Sequence, residues 1–336
     1  MTRSITIHDV AREAAVSTAT VSNAMNHPGR VAAETRAKVL EAADRLGYVP
    51  YAVASERARA RRRRIGIVAP FSSYSSYAMR MRGVLAVVGA DRMETIIFDH
   101  PSASRSPSPR LESLPFSGDL DGLVIMGIPV DAGLCDRLID RELPTVLVDS
   151  FHPQLTSVVL DEAHGTRLVA DHLVARGFDR FVYVTEGQVS TDYISQGRKR
   201  QAGFVQALSD HGVPDESIHR VRAKSGDVSA GRAAAEYLAR LARGGSRVGV
   251  LAGHDTLAAG VLAGLRDHHV AVPDRIGVVG WDGGETIEAL GLTTVRQPLE
   301  QSGRIGAERL LARMDDARLP VERVVLRPSL HEGVTS

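Results

Sequence analysis

The chain of 336 residues holds a single cysteine, Cys135, a single tryptophan, Trp281, and only 4% aromatic residues. One thiol excludes a disulfide framework within the chain and suits a reducing compartment, leaving Cys135 to be read as a small buried apolar residue. No apolar run approaches the roughly 18 residues that a membrane helix needs, and the opening MTRSITIHD lacks the apolar core of a signal peptide. The expected location is therefore the cytoplasm. Enzyme signatures are missing too: the sequence has no G-x-G-x-x-G, no G-x-x-x-x-G-K-[ST], no G-x-S-x-G and no H-E-x-x-H. His268 and His269 stand side by side without cysteine ligands nearby, which argues against zinc. Neither an enzymatic activity nor a cofactor or metal is expected.

Net charge is almost absent, at +1, but its distribution is uneven. Residues 1–64 carry 12 Lys/Arg against 6 Asp/Glu, whereas the remainder carries 29 against 34. A basic head on an acidic body places any affinity for polyanions at the N-terminus. With 43% hydrophobic and 24% charged residues, the chain has the composition of a globular protein and room for two or three domains.

What is present begins at Thr6. Thr6 and Asp9 stand at capping-box spacing, with Asp in place of Glu, and Ile7, Val10, Ala11 and Ala14 follow at helical spacing, predicting a helix from about Ile7 to Ala14. After the turn Ala15-Val16, Ser17 is an N-cap candidate for a second helix in which Val21, Ala24 and Met25 share one face. Two short helices joined by a tight turn make a helix-turn-helix, whose second helix can enter a DNA major groove. A third helix is expected over Ala33–Leu46, with Ala37, Leu40, Ala42 and Ala43 inward and Gly47 ending it.

Asp9-Val10-Ala11, Ala15-Val16-Ser17, Thr20-Val21-Ser22, Asn26, Thr35-Arg36, Val39, Leu46-Gly47-Tyr48 and Pro50 follow one another in an order that resembles the DNA-binding headpiece of the lactose/galactose repressor (LacI/GalR) family. The resemblance implies DNA contacts from Thr6, Ser17, Thr18, Ala19, Thr20, Ser22, Asn23, Asn26, Tyr48, Ala54 and Arg57. Thr18 and Ala19 fall where the family places its base-reading pair; their methyl groups suit thymine methyls, and Asn23 suits adenine N6/N7. Ser17, Thr20 and Ser22 cap the helix or touch phosphate, so they position rather than specify. Ala32 stands where the family usually has a capping serine, which weakens that helix start by about 0.5–2 kcal/mol. Pro50 can open a hinge helix over Tyr51 to about Ala58 that folds mainly on DNA. Arg57 occupies the place of the family's leucine wedge and cannot insert as an apolar side chain does; a narrowed minor groove would attract it electrostatically. Arg57, Arg59 and Arg61 to Arg64 then form a basic linker, read either as a solvated tether or as a phosphate contact.

From Ile65 short apolar runs alternate with helical stretches. Residues 65–69, 94–98, 122–126, 145–149 and 157–160 read as buried parallel strands, followed by a second set at 181–185, about 218–221, 248–252 and 276–280. Pro101 to Pro109, rich in serine and proline, reads as a surface loop. The family resemblance continues through Gly165-Thr166-Arg167, Arg200, Asp255, Asp282 and Leu292 to Pro298. It implies an all-α helix-turn-helix headpiece followed by an α/β periplasmic-binding-protein-like core of two doubly wound parallel-sheet lobes, crossed three times by the chain. The expected division is a headpiece at 1–49, a hinge and linker at 50–64, and a core at 65–336. Within the core, the first lobe takes about 65–156 and 294–317, and the second about 157–291 and 320–332. Thr293 to Pro298 would be the last crossing.

An effector is expected in the cleft of such a core. The resemblance assigns it Arg200, and Asp282 lies at a strand's carboxyl end, where open α/β sheets place ligands. His254 stands where the family usually has asparagine and adds a titratable group. His164 aligns with another contact position. Gln297 and Trp281 are further candidates, the tryptophan as a stacking wall or as lobe core; Phe71, Ser73 and Tyr74 follow the first strand. Arginine with aspartate, glutamine and histidine suits hydroxyls, so a sugar or sugar derivative is favoured, with nucleobases and phosphorylated effectors left open. The expected protein is a homodimeric repressor of a carbohydrate-use operon on pseudo-palindromic operator DNA. The rival is a sugar-binding or sugar-modifying α/β protein without operator control.

Overall fold

The computed structural model describes residues 5–48, 63–89, 93–100, 120–188, 193–284 and 287–336. The expected hinge helix, with Ala54 and Arg57, and the loop at Pro101–Pro109 lie outside the described residues. The chain opens with α1 (Ile7–Glu13), α2 (Thr18–Asn26) and α3 (Ala33–Leu46). At the start of α1 the Asp9 carboxylate accepts from the Thr6 backbone N–H at 2.9 Å and from the Thr6 hydroxyl at 2.7 Å. The Ser17 hydroxyl accepts from the Thr20 N–H at 3.0 Å, closing the first turn of α2. Gly47, at φ +60°, ends α3 in the left-handed conformation, while Ala32 begins it with no side-chain cap. Val10, Val21, Ala24, Met25, Val39, Leu40 and Ala43 close a core between the three helices.

The turn between α1 and α2 holds a non-glycine residue, Ala15, at φ +53°. A β-carbon in this region costs about 1–2 kcal/mol, more than the extra chain entropy of about 0.5–1 kcal/mol that glycine loses on folding. Ala15→Gly is therefore expected to stabilise the headpiece by about 0.5–1 kcal/mol, read as a higher urea midpoint at unchanged slope. A lower midpoint would show that the turn stores no such strain.

Two six-stranded sheets follow, with strands β1 (Arg64–Ala69), β2 (Glu94–Asp99), β3 (Gly122–Met126), β4 (Thr145–Val148), β5 (Thr156–Leu160) and β11 (Arg323–Leu326) in the first. The second holds β6 (Arg180–Glu186), β7 (Ile218–Ala223), β8 (Val248–Ala252), β9 (Ile276–Asp282), β10 (Thr293–Arg296) and β12 (Ser329–His331). The first runs β11-β5-β4-β3-β1-β2 and the second β12-β10-β9-β8-β6-β7, so the first five strands of each set share one spatial order. The parallel ladders are joined by helices: α4 (Ser75–Val88) and α5 (Ala132–Asp140) early, then α6 (Glu162–Ala175), α7 (Gln196–Asp210), α8 (Val228–Ala242), α9 (Asp255–Asp267), α10 (Ile287–Leu290) and α11 (Leu299–Asp315). Only β12 is antiparallel to its described partner β10.

Strand alternation explains how the second sheet is covered on both faces. Val182, Val184, Val248, Val250, Ile276 and Val278 join Leu238, Leu257, Val261 and Leu265 of α8 and α9 in one cluster. Phe181, Tyr183, Leu251, Val279 and Trp281 join Val169, Leu173, Phe204 and Leu208 of α6 and α7 in another. Gly165 on α6 admits the indole: a β-carbon there would stand 2.6 Å from the Trp281 ring.

Contacts divide the chain into one unit of Met1–Ser72, Arg80–Val158 and Glu300–Val324, and a second of Ser73–Met79, Val159–Leu299 and Val325–Ser336. This division differs from the expected bounds at several points, with 73–79, 294–299 and 333–336 in the second unit and 157–158 and 320–324 in the first. Residues 294–299 fall in the second unit, because β10 pairs in parallel with β9 from Thr293 opposite Val279 to Arg296 opposite Asp282. The second unit runs on to Ser336, where the Thr335 hydroxyl donates to the Val278 carbonyl at 2.7 Å. The basic run also ends inside the first unit: Arg64 opens β1 and pairs with Glu94 at 2.7 Å, and Arg63 pairs with Asp315 at 3.1 Å. Within that unit Cys135 is buried beside Leu134 and Leu138, and burial pushes its thiol pKa up. Among the described residues, no helix is long and apolar enough to cross a membrane.

Candidate functional sites

On α2 the buried side is Val21, Ala24 and Met25, which turns Ala19 fully outward and leaves Thr18, Thr20, Ser22 and Asn23 half-exposed. Asn26 closes the helix. The hydroxyls of Ser17 and Thr20 lie 2.8 Å apart, and the Thr6 hydroxyl donates to Asp9, so all three are engaged within the headpiece. Tyr48 is 6% exposed and belongs to the headpiece core. Its ring is thus placed for packing, and burial raises the pKa of its hydroxyl.

The second unit gathers a buried polar cluster around Arg200 on α7. Glu162, the first residue of α6, takes the Arg200 guanidinium in a two-point contact, Nε to Oε2 at 2.9 Å and Nη2 to Oε1 at 3.2 Å. Arg200 Nη1 donates to the Gly253 carbonyl at 2.8 Å, and the guanidinium carbon lies 4.7 Å from the centre of the Trp281 ring. Burial opposes the charge on Arg200, but Glu162 outweighs it and the net shift of the arginine pKa is upward. Tyr183, whose hydroxyl donates to the Gly197 carbonyl at 3.0 Å, is pushed up to about 12 by burial.

Next to Gly253, His254 caps α9: its Nδ1 accepts from the Leu257 N–H at 3.4 Å. An accepting Nδ1 puts the ring proton on Nε2, which is buried without a hydrogen-bond partner. Burial first, and the charge of Arg200 second, press the His254 pKa down to about 4. Tyr74 stacks edge-on against this ring at 5.9 Å and donates its hydroxyl to Glu186. Burial pushes the Glu186 carboxyl up to about 6.

Asp282 ends β9 at φ +118°, a conformation that costs an aspartate of order 1–3 kcal/mol and that the neighbouring bonds hold in place. Gln297 Nε2 donates to Asp282 Oδ1 at 2.6 Å. Asp255 secures the loop that follows, accepting from the N–H groups of Gly283 at 2.8 Å and Gly284 at 3.1 Å and from the Thr294 hydroxyl at 2.6 Å. A cavity of about 220 Å³ opens beside these two aspartates, lined also by Ser75, Met79, Val228, Thr256 and Leu290.

Arg200, His254, Trp281, Asp282, Gln297 and Tyr74 are thus drawn into one neighbourhood of the second unit. The other candidates lie differently: Phe71 is in the first unit beside Ser72, whose N–H donates to Asp99 at 3.0 Å; Ser73 is exposed; and the His164 N–H donates to Asp161 at 2.9 Å, capping α6. Sequence reading missed Glu162 and Glu186. Glu186 ends β6 beside β8 at the point where the strand order reverses, the usual ligand position of such sheets, a signal that the strand order supplies and the sequence alone does not. Among the described residues, no group of three or more His, Cys, Asp or Glu is placed to hold a metal ion.

Residues 6–51 match the family described as bacterial regulatory proteins, lacI family, and residues 170–336 match a periplasmic binding protein-like domain. Over 315 residues the chain is 30% identical to Catabolite control protein A of Priestia megaterium, covering 92% of each. The chain belongs to the lacI family of bacterial regulatory proteins. This lacI-family chain is also 30% identical to the HTH-type transcriptional repressor PurR of Erwinia tasmaniensis, over 97% of this chain and 95% of the other. A LacI family transcriptional regulator from Enterococcus faecium, solved with bound ribose, superposes with a TM-score of 0.70 at 22% identity, over 82% of this chain and 98% of that one. That likeness concerns the fold; the helix-turn-helix domain and the periplasmic-binding-protein-like core are carried by the two family matches. The lacI-family headpiece and core together make the protein a DNA-binding transcriptional regulator.

Proposed function

We propose that this lacI-family regulator is a cytoplasmic, homodimeric repressor of a carbohydrate-use operon, and that a sugar bound at the Arg200 cluster sets its affinity for a pseudo-palindromic operator. The buried, unpartnered Nε2–H of His254 carries the effector half of this reading, since a buried donor without a partner is costly and a bound hydroxyl satisfies it. The ribose in the Enterococcus faecium relative supports the choice of sugar. An effector that prefers one conformation shifts operator affinity by about 1–3 kcal/mol of coupling. Two headpieces on one two-fold axis take the halves of the operator.

On the DNA side, Thr18, Ala19 and Asn23 read bases, with Ala19 the most exposed of the three. Ser17, Thr20 and Ser22 orient α2, and Thr6 and Tyr48 hold the headpiece that presents it. Operator selection from random duplex at physiological salt tests both halves. The full-length protein is expected to enrich a palindromic site, and Ala19→Gln to enrich a different one, with each lost base contact costing about 1–3 kcal/mol. Recovery of the same site by both proteins would remove Ala19 from the reading set. No enrichment at all, with or without sugars, would overturn the repressor reading.

A further inference from the structure

We propose that the Arg200 cluster selects an uncharged, hydroxyl-rich effector and rejects the phosphorylated or carboxylated form of the same sugar, with Glu162 and Glu186 as the residues that set this charge rule. The proposal rests on the effector reading above and deepens it. An arginine in a binding site ordinarily advertises an anion, but here the guanidinium is already matched. Glu162 engages two of its nitrogens, the Gly253 carbonyl a third N–H, and the indole of Trp281 covers its face. What Arg200 has left for a ligand is N–H groups without net charge to neutralise.

Around it, the local balance is acidic. Glu162, Glu186, Asp255 and Asp282 stand against Arg200 and against Arg296, which lies opposite Asp282 in the β9–β10 ladder. Asp255 spends its oxygens on Gly283, Gly284 and Thr294, whereas Glu186 has no described basic partner and takes only the Tyr74 hydroxyl. At Gly226 His254 Nε2 and Glu186 Oε2 both approach one backbone position: a β-carbon there would lie 2.8 Å from the first and 3.6 Å from the second. A donor and an acceptor gathered near one backbone position match a hydroxyl, which accepts from the imidazole N–H and donates to the carboxylate. A phosphate or carboxylate oxygen has no proton for Glu186 and adds a like charge to a buried acid, which disfavours the wrong ligand strongly.

The test uses the full-length protein and matched triplets, each a neutral sugar, its phosphate ester and its uronic acid, with binding read by calorimetry and thermal shift. The expected result is that the neutral member of at least one triplet binds, and its two anionic counterparts bind at least about a hundredfold more weakly. Glu162→Gln, which keeps the shape but releases the Arg200 charge, is expected to narrow that ratio at least about tenfold. If the variant does not fold, the wild-type ratios alone decide. An anionic member that binds as tightly as its neutral parent overturns the charge rule while leaving the effector reading in place. If no member of any triplet binds, both fall together.

Discussion

Glu162→Ala is expected to cost the second unit about 3–5 kcal/mol, because it strands a buried guanidinium without its counter-charge. Arg200 is 8% exposed and Glu162 equally so, and the two-point contact at 2.9 and 3.2 Å is what offsets the cost of taking both charges out of water. Removing one partner leaves the other desolvated and unpaired, which is worse than removing both. Replacing the pair together, Glu162→Leu with Arg200→Met, should therefore recover most of the loss, since buried ion pairs exchanged for apolar groups of similar volume are often neutral in stability. The recovery will be partial, because Arg200 also bonds the Gly253 carbonyl and covers the Trp281 ring. Urea unfolding of the single and double variants measures the coupling directly. A single-variant loss under about 1 kcal/mol would mean that water or another acid satisfies Arg200, and the charge-matched site would have to be abandoned.

The same pair shows where the sequence stopped being informative. The headpiece was legible residue by residue, because its caps and its apolar spacing are local: Thr6 with Asp9, Ser17 with Thr20, and Val21, Ala24 and Met25 on one face. The parallel strands were legible for a similar reason, as short apolar runs covered on both faces. The salt bridge that defines the effector cluster joins residues 38 positions apart, and no period or motif links them. Glu162 is an acidic residue at a helix start and Glu186 the polar end of a strand, and neither position by itself marks a site. Both meanings come from which strand lies beside which.

Two further differences have physical causes. Residues 293–298 carry family landmarks that suggested a crossing, yet Thr293 to Arg296 form a full ladder with β9, so the chain leaves the second sheet only after them. From sequence, Trp281 suits either a stacking wall or the lobe core. The indole is 1% exposed, and the bare Gly165 beside it shows that the helix was fitted to the ring; Arg200 covers its face, so it serves as both. Asp282 illustrates the remaining case: its position at a strand end could be read in sequence, but its left-handed backbone and its bond from Gln297 could not.

His254→Asn is expected to blunt the loss of stability that the protein suffers on acidification. The imidazole titrates near 4 in the folded chain because burial and Arg200 disfavour its charged form, whereas an unfolded histidine titrates near its ordinary 6.5. Below about 6.5 the unfolded chain therefore binds a proton that the folded chain refuses, so the contribution of His254 is intact above that pH and is lost as pH falls toward 4. By about pH 4.5 the loss amounts to about 2–3 kcal/mol. Glu186 works in the opposite sense: its folded pKa is raised from 4.5 to about 6, so folding gains from its protonation as pH falls through that window. That gain, about 1–2 kcal/mol, offsets part of the histidine loss, which is why the comparison must be between variants rather than read from one curve. Asparagine keeps an oxygen to cap α9 and an amide N–H for the ligand, and removes only the titration. Measured by urea unfolding at about pH 7 and about pH 4.5, the wild type should lose about 2–3 kcal/mol more than the variant. Parallel losses would mean that His254 is protonated in the folded state and that its Nε2–H has found an acidic partner, most directly Glu186, which would turn the neutral hydroxyl pocket into an ion pair.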